Sequence, residues 1–180
     1  MKFLSLDIKT ATSEPFSICE IGIGTFEDGQ LIDSFRTYID PKCSIDPYYT
    51  ENVHGITEEM VHGFFAFDDV YDIYRLREML EKKIVVHHSP FPRIALEKAI
   101  KKYDLDSFKI LWLDTEIVAQ NTWNEFTECD STLENMASRL GIKIQYPDAL
   151  QCSLAIGRMI IEASNKLGIG IDELVKRFNS

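Results

Sequence analysis

The sequence predicts an α/β domain, on three observations. The first forty residues carry three strand-like segments joined at hairpin spacing. Short apolar runs then alternate with segments whose apolar residues recur at helical spacing. A chain of 180 residues with 45% apolar side chains is also long enough to bury a sizeable core without disulfides or metals, and no repeat, low-complexity tract or linker divides residues 1–180.

Phe3, Leu4, Leu6 and Ile8 make Lys2 to Thr10 a strand. Strand residues two apart share a face, so Asp7 and Lys9 point the same way. Thr10 to Pro15 reads as a loop and Phe16 to Phe26 as a second strand. Glu27-Asp28-Gly29-Gln30 is a turn into a third strand, Leu31 to Ile39, which gives the sheet an antiparallel three-strand start. Pro41 ends that strand, and Cys43 to Tyr49 is expected to be a loop crossing the sheet's end.

Thr57 is placed to cap a helix beginning Glu58-Glu59-Met60. Ile73, Leu76, Met79 and Leu80 predict one helix over Val70 to Lys83, before a short buried strand at Ile84-Val85-Val86. Pro90 and Pro92 fit a loop and a helix's first turn, so Phe91 to Tyr103 should be a helix entered through prolines. Ile110 to Leu113 is a further buried strand; Asp114 and Glu116 have an Asp-x-Glu spacing, for which the preferred acids of the helix start that follows are the simpler account. Ser131-Thr132-Leu133-Glu134 reads as a capping box ahead of a stripe of Leu133, Met136, Ala137 and Leu140 that ends at Gly141. Leu150 to Ala163 is the next helix, and Ile171, Leu174, Val175 and Phe178 mark a final amphipathic one.

The formal net charge of −10 weighs against a surface built to bind phosphates through Lys and Arg, unless bound metals or a local basic patch reverse the field. Cys19, Cys43, Cys129 and Cys152 are too widely spaced for a zinc site and read as free thiols. With no signal-peptide pattern at Met1 and no apolar run of membrane-spanning length, a cytoplasmic protein without a membrane partner is expected.

Four segments in this order carry a family resemblance: Leu6-Asp7-Ile8-Lys9-Thr10, Ile18-Cys19-Glu20-Ile21-Gly22, His54-Gly55-Ile56-Thr57, and His87-His88-Ser89-Pro90-Phe91-Pro92. With Tyr146-Pro147-Asp148-Ala149-Leu150-Gln151-Cys152 they resemble the DEDDh 3′-to-5′ exonucleases of the DNA polymerase proofreading (epsilon) subunit type, over nearly the whole chain. The resemblance implies a ribonuclease H-like fold, a mixed sheet whose antiparallel start is followed by parallel strands and flanked by helices.

It also implies a catalytic set of four carboxylates and a histidine, of which this chain keeps one member. Where members carry Asp-x-Glu it has Asp7 and Lys9; at His-Asn-x-x-Phe-Asp it keeps His87 and Phe91 but has His88 and Pro92; at His-x-x-x-x-Asp it has Pro147 and Cys152. The family positions Asp7, Lys9, Pro92, Pro147 and Cys152 therefore retain only Asp7. Asp7, Thr10, His54, Gly55, Ile56, His88 and Phe91 are the residues the resemblance places along a substrate groove. For His54 to Thr57 a tight turn and core packing explain the residue types equally well.

Two-metal hydrolysis needs hard oxygen ligands around two divalent cations. Pro92 offers none, Cys152 is a soft donor and Pro147 cannot take a proton. Lys9 should pair with Asp7 and repel a divalent cation there: two unit charges ~4 Å apart already interact by about 4 kcal/mol, enough to weaken metal binding several hundredfold. Asp148, Asp114, Glu20, His87 and His88 are the groups that could substitute, each with an ordinary explanation as a cap, a surface charge or a satisfied polar group.

The expectation is thus an exonuclease-family pseudoenzyme without cofactor, binding a nucleic-acid 3′ end or a nucleotide, or acting as a regulator. A relic pocket retained only for the fold is an equally weighted account of the Asp7–Lys9 pair. Two further alternatives are an active 3′-to-5′ exonuclease using magnesium or manganese on non-standard ligands, and a scaffold for a protein partner.

Overall fold

The computed structural model describes residues 2–126, 131–144 and 148–178. Its five-stranded sheet has the order β3-β2-β1-β4-β5. Strands β1 (Lys2–Thr10), β2 (Ile18–Glu27) and β3 (Gln30–Tyr38) form an antiparallel meander. Strands β4 (Ile84–His87) and β5 (Leu111–Asp114) add to it in parallel, with Leu4 opposite Val85 and His87 opposite Asp114. Parallel strands need crossover connections, and helices supply them here.

Between β3 and β4 lie α1 (Pro47–Tyr49), a single π-helical turn over Thr50–His54, α2 (Glu58–Val61), α3 (Phe67–Ile73) and α4 (Leu76–Leu80). Helix α5 (Phe91–Lys102) joins β4 to β5. After β5 come α6 (Thr115–Thr122), a 3₁₀ turn at Asn124–Phe126, α7 (Leu133–Arg139), α8 (Ala149–Leu167) and α9 (Ile171–Phe178). Among the described residues no helix is long and apolar enough to cross a membrane.

The alternation of β1 feeds two cores. Phe3 joins Phe26, Cys152, Ile156 and Met159 beneath α6 to α9, while Leu4, Leu6 and Ile8 join Phe67, Leu80 and Leu96 beneath α3 to α5. Helix α8 lies close to the sheet because β2 has no side chain where they meet. A Cβ on Gly22 would overlap the backbone of Ala149 and Leu150, and one on Gly157 would overlap the ring of Phe26.

Several boundaries differ from expectation. The helix predicted over Val70 to Lys83 is two short helices, because Arg75 adopts a left-handed conformation at φ 54° and breaks the ladder between them. Ile73, expected on the apolar face, is consequently exposed. The loop predicted over Cys43 to Tyr49 ends in α1, capped by Asp46, whose carboxylate accepts the Tyr48 amide proton. At α7 the cap position is Thr132, one residue past the predicted Ser131, whose carbonyl is engaged elsewhere. Helix α8 runs four residues past Ala163 to a left-handed Gly168. The free-thiol expectation holds for Cys19, Cys43 and Cys152; Cys129 lies outside the described residues.

Candidate functional site

On β1, Asp7 and Lys9 follow Phe3 onto the α8 side, as the two-residue period requires. The Lys9 ammonium lies 2.8 Å from Asp7 Oδ2, with only 14% and 12% of the two side chains exposed, so the expected ion pair forms. The first turn of α8 brings Cys152 against the same ammonium, with Nζ donating to Sγ at 3.5 Å.

Burial pushes the Asp7 carboxyl above the usual carboxylate range, and Lys9 pulls it back. Burial also works against the Lys9 charge, but Asp7 and then Cys152 hold its pKa above the ordinary lysine value. The Cys152 thiol is pushed up to about 12 by burial and by Asp7, and is neutral.

A second buried charge positions α8. Glu20 is fully buried, accepting from Arg36 Nε at 2.6 Å and from the Ala149 amide at 2.9 Å. Burial raises its carboxyl, opposed by the Ala149 amide and Arg36. Arg36 also approaches Asp148 at 3.7 Å, and Asp148 caps α8 through the Gln151 amide at 2.7 Å. A carboxylate held against orphan amides at a helix N-terminus is favourable. The carboxylates of Glu20 and Asp148 are thus committed to α8.

A cleft of about 230 Å³ opens above the Asp7–Lys9 pair. Asp7, Ile8, Lys9 and Thr10 form its floor. Tyr49, Val53 and His54 come from the α1 and π-helical turns on one side, and His88, Ser89, Phe91 and Pro92 from the end of β4 and the start of α5 on the other. Val53 is 44% exposed and Phe91 39%, so the cleft presents an aliphatic and an aromatic surface to solvent.

His54 lines this cleft, yet both its nitrogens serve the backbone. The Ile56 amide donates to Nδ1 at 3.0 Å, which places the ring proton on Nε2, and Nε2 donates to the Thr10 carbonyl at 3.0 Å. Burial lowers its pKa, keeping the ring neutral. Gly55 takes the left-handed cap position at φ 73° and Ile56 is a core residue beside Ala11, Cys19 and Val61; neither lines the cleft.

His88 is buried: Nε2 donates to the Ser131 carbonyl at 2.7 Å, and Nδ1 lies 2.9 Å from the Thr115 hydroxyl, which is 3.0 Å from the His87 carbonyl. It ties β4, α6 and the entry to α7 together. His87 donates from Nδ1 to the Ser89 carbonyl at 2.7 Å and meets Trp112 edge-on, in a separate hollow with Arg93 and Asp114. Asp114 accepts from the Ser89 and Glu116 amides, as a strand-end cap would. Pro92 is buried in the first turn of α5. Pro147 lies outside the described residues. Among the described residues no group of three or more His, Cys, Asp and Glu side chains is arranged to hold a metal ion.

The Lys9–Cys152 contact and the Glu20–Arg36–Ala149 arrangement were not visible in the sequence, since each joins residues more than a hundred positions apart. The π-helical turn was also missed, and with it Tyr49 and Val53. Gly22 was the one available signal, a glycine in a strand that marks close backbone approach.

An antiparallel meander extended by parallel strands, with β1 ending in a cleft and a helix crossing its face, is a ribonuclease H-like nuclease fold. An exonuclease family model of the RNase T type matches residues 4–151, and the chain belongs to that family, within its DEDDh 3′-to-5′ branch. It is 30% identical over 149 residues to the PolC-type DNA polymerase III of Clostridium perfringens, covering 80% of this chain and 10% of that protein. It is 27% identical over 120 residues to the 3′-5′ exonuclease DinG of Bacillus subtilis, covering 65% of this chain and 12% of that one. The chain thus matches about a tenth of the length of these relatives.

Among solved structures it resembles exonuclease X in complex with 5′ overhanging duplex DNA, with a TM-score of 0.72 at 18% identity over 97% of this chain and 98% of that one. The nuclease domain of 3′hExo, a DEDDh family member bound to rAMP, gives 0.69 at 16% identity over 91% and 92%. At these identities the structures establish the shared fold.

Proposed function

We propose that this chain is an exonuclease-family module that holds a nucleic-acid 3′ end or a nucleotide in the cleft above β1 without hydrolysing it. The observation that carries this reading is the Lys9 ammonium, paired with Asp7 at 2.8 Å and backed by the Cys152 thiol. A divalent pair requires several hard oxygen donors in one place. The floor supplies one carboxylate already matched to a cation, the wall beside it a proline, and the thiol behind Lys9 is neutral and soft, so the donor set does not fit the family's metals.

The cleft still suits a planar ring. Phe91 and Val53 offer it exposed apolar surface, and stacking on an aromatic side chain is tolerant of base identity. Lys9 is the only Lys or Arg lining the cleft among the described residues, and it is already paired, so phosphate attraction is weak. The affinity then comes from ring contacts more than from charge and falls gently with salt. Exonuclease X and 3′hExo, with DNA and rAMP in their structures, support a nucleic-acid end or nucleotide as the ligand.

Fluorescence anisotropy of a single-stranded oligonucleotide labelled at its 5′ end, with EDTA present throughout, tests this. Binding should persist without divalent ions, and Phe91→Ala should weaken it about fivefold or more, the effect of losing one stacking platform. Binding that requires magnesium, or magnesium-dependent shortening of the oligonucleotide, would instead establish an active exonuclease on unanticipated ligands.

A further inference from the structure

A second concavity lies at the opposite end of the strands, beneath the starts of β1, β4 and β5. It measures about 500 Å³, against about 230 Å³ for the cleft above Asp7. Its apolar surface comes from Met79, Ile84 and Leu111, and Leu111 is 46% exposed although it begins a buried strand.

Three lysines, Lys2, Lys82 and Lys83, surround this surface. Lys2 is matched by Glu27 at 3.4 Å, whereas Lys82 and Lys83 make no ion pair among the described residues. Of the two acids on the rim, Glu78 is gripped by Arg75 through bonds of 2.7 and 2.8 Å, which leaves Asp172. On a chain of net charge −10 this rim is locally cationic. The backbone from which the Lys82 side chain projects is held: it is left-handed at φ 58° and its amide donates to the Lys109 carbonyl at 2.7 Å.

We infer that this hollow binds a small amphipathic anion, an apolar ring or chain bearing a single carboxylate, sulfonate or phosphate. The apolar body would cover Leu111, Ile84 and Met79, and the anionic head would lie between Lys82 and Lys83. The volume falls in the range of pockets that enclose small molecules with apolar walls and a few oriented polar groups. A nucleic-acid strand fits less well, because the free cations are two neighbours at one rim instead of a track along a groove.

The probe for this site is 8-anilinonaphthalene-1-sulfonate, whose fluorescence rises when its rings leave water. The full chain should enhance that fluorescence saturably. Decanoate should displace the dye while decanol, which lacks the charge, should not. Lys82→Glu together with Lys83→Glu reverses two exposed charges and should weaken dye binding about tenfold. Leu111→Glu, a change at an already exposed side chain, should weaken it independently, with an unchanged melting temperature showing that the fold survives. Absence of saturable binding, equal displacement by decanol, or full dye affinity in both folded variants overturns the inference.

Discussion

Replacing Lys9 with methionine removes the ammonium while keeping most of the side chain's apolar bulk, and isolates what the pair contributes. At 2.8 Å and an effective dielectric near 20 the gross attraction between the two charges is about 6 kcal/mol. Desolvation of two buried ions cancels much of this, so the intact pair adds little net stability. The variant, however, leaves Asp7 buried without its counter-ion, which costs about 3 kcal/mol at neutral pH.

The pH dependence identifies the cause. Burial already raises the Asp7 carboxyl, and without Lys9 the folded-state pKa rises further above the unfolded value. Between those two values the folded protein holds a proton that the unfolded chain has released. Stability of the variant relative to wild type is therefore lost as pH rises through the folded pKa and recovered as pH falls, by up to about 1.4 kcal/mol per unit. Urea denaturation at pH 7.5, 6.5 and 5.5 measures this directly. Adding Asp7→Leu to Lys9→Met should restore most of the loss, because no charge is then left buried. A loss below about 1 kcal/mol that does not change with pH would refute the reasoning, since such a pair would behave as an exposed one.

Other expectations concern the parts that place this pair. Gly22→Ala puts a methyl into the backbone of Ala149 and Leu150 and should destabilise by about 2 kcal/mol through displacement of α8, read as a lower urea midpoint. Glu20→Gln weakens the grip on Arg36 and the Ala149 amide and should cost about 1 kcal/mol, since Arg36 is 35% exposed and keeps Asp148 at 3.7 Å, whereas Glu27→Gln, on an exposed pair, should shift the midpoint little. Thiol labelling of the native protein at pH 8, mapped by mass spectrometry, should modify Cys43 and spare Cys152, whose thiol burial pushes up to about 12; rapid modification of Cys152 would show that α8 does not seal it.

The sequence disclosed the parts of this molecule governed by local periodicity. The two-residue repeat of β1 predicted that Asp7 and Lys9 share a face, and chain adjacency made their ion pair legible before any fold was known. The proline pair at Pro90 and Pro92 fixed where α5 begins, and Thr57 was recognisable as a cap. What the sequence concealed depends on tertiary placement or on unusual backbone geometry. No local preference marks an arginine for the left-handed region, so the break at Arg75 was read as continuous helix. The π-helical turn that carries Val53 into the cleft has no strong sequence signature. Cys152 read as a missing metal ligand, and only the docking of α8 across β2 shows it as a hydrogen-bond partner of Lys9. His54 reads as a groove residue and does line the cleft, but the sequence did not show that both its ring nitrogens join the π-helical turn to the end of β1.

These contacts support a site in which a protein cation stands beside the carboxylate that family members commit to metal. Calorimetric titration of the wild-type chain with manganese, paired with a denaturing gel of an oligonucleotide incubated with each titrated sample, tests that account most directly. It predicts no saturable heat and an oligonucleotide of undiminished length at every manganese concentration. Binding of two ions together with progressive loss of 3′ nucleotides would contradict it and establish a working exonuclease.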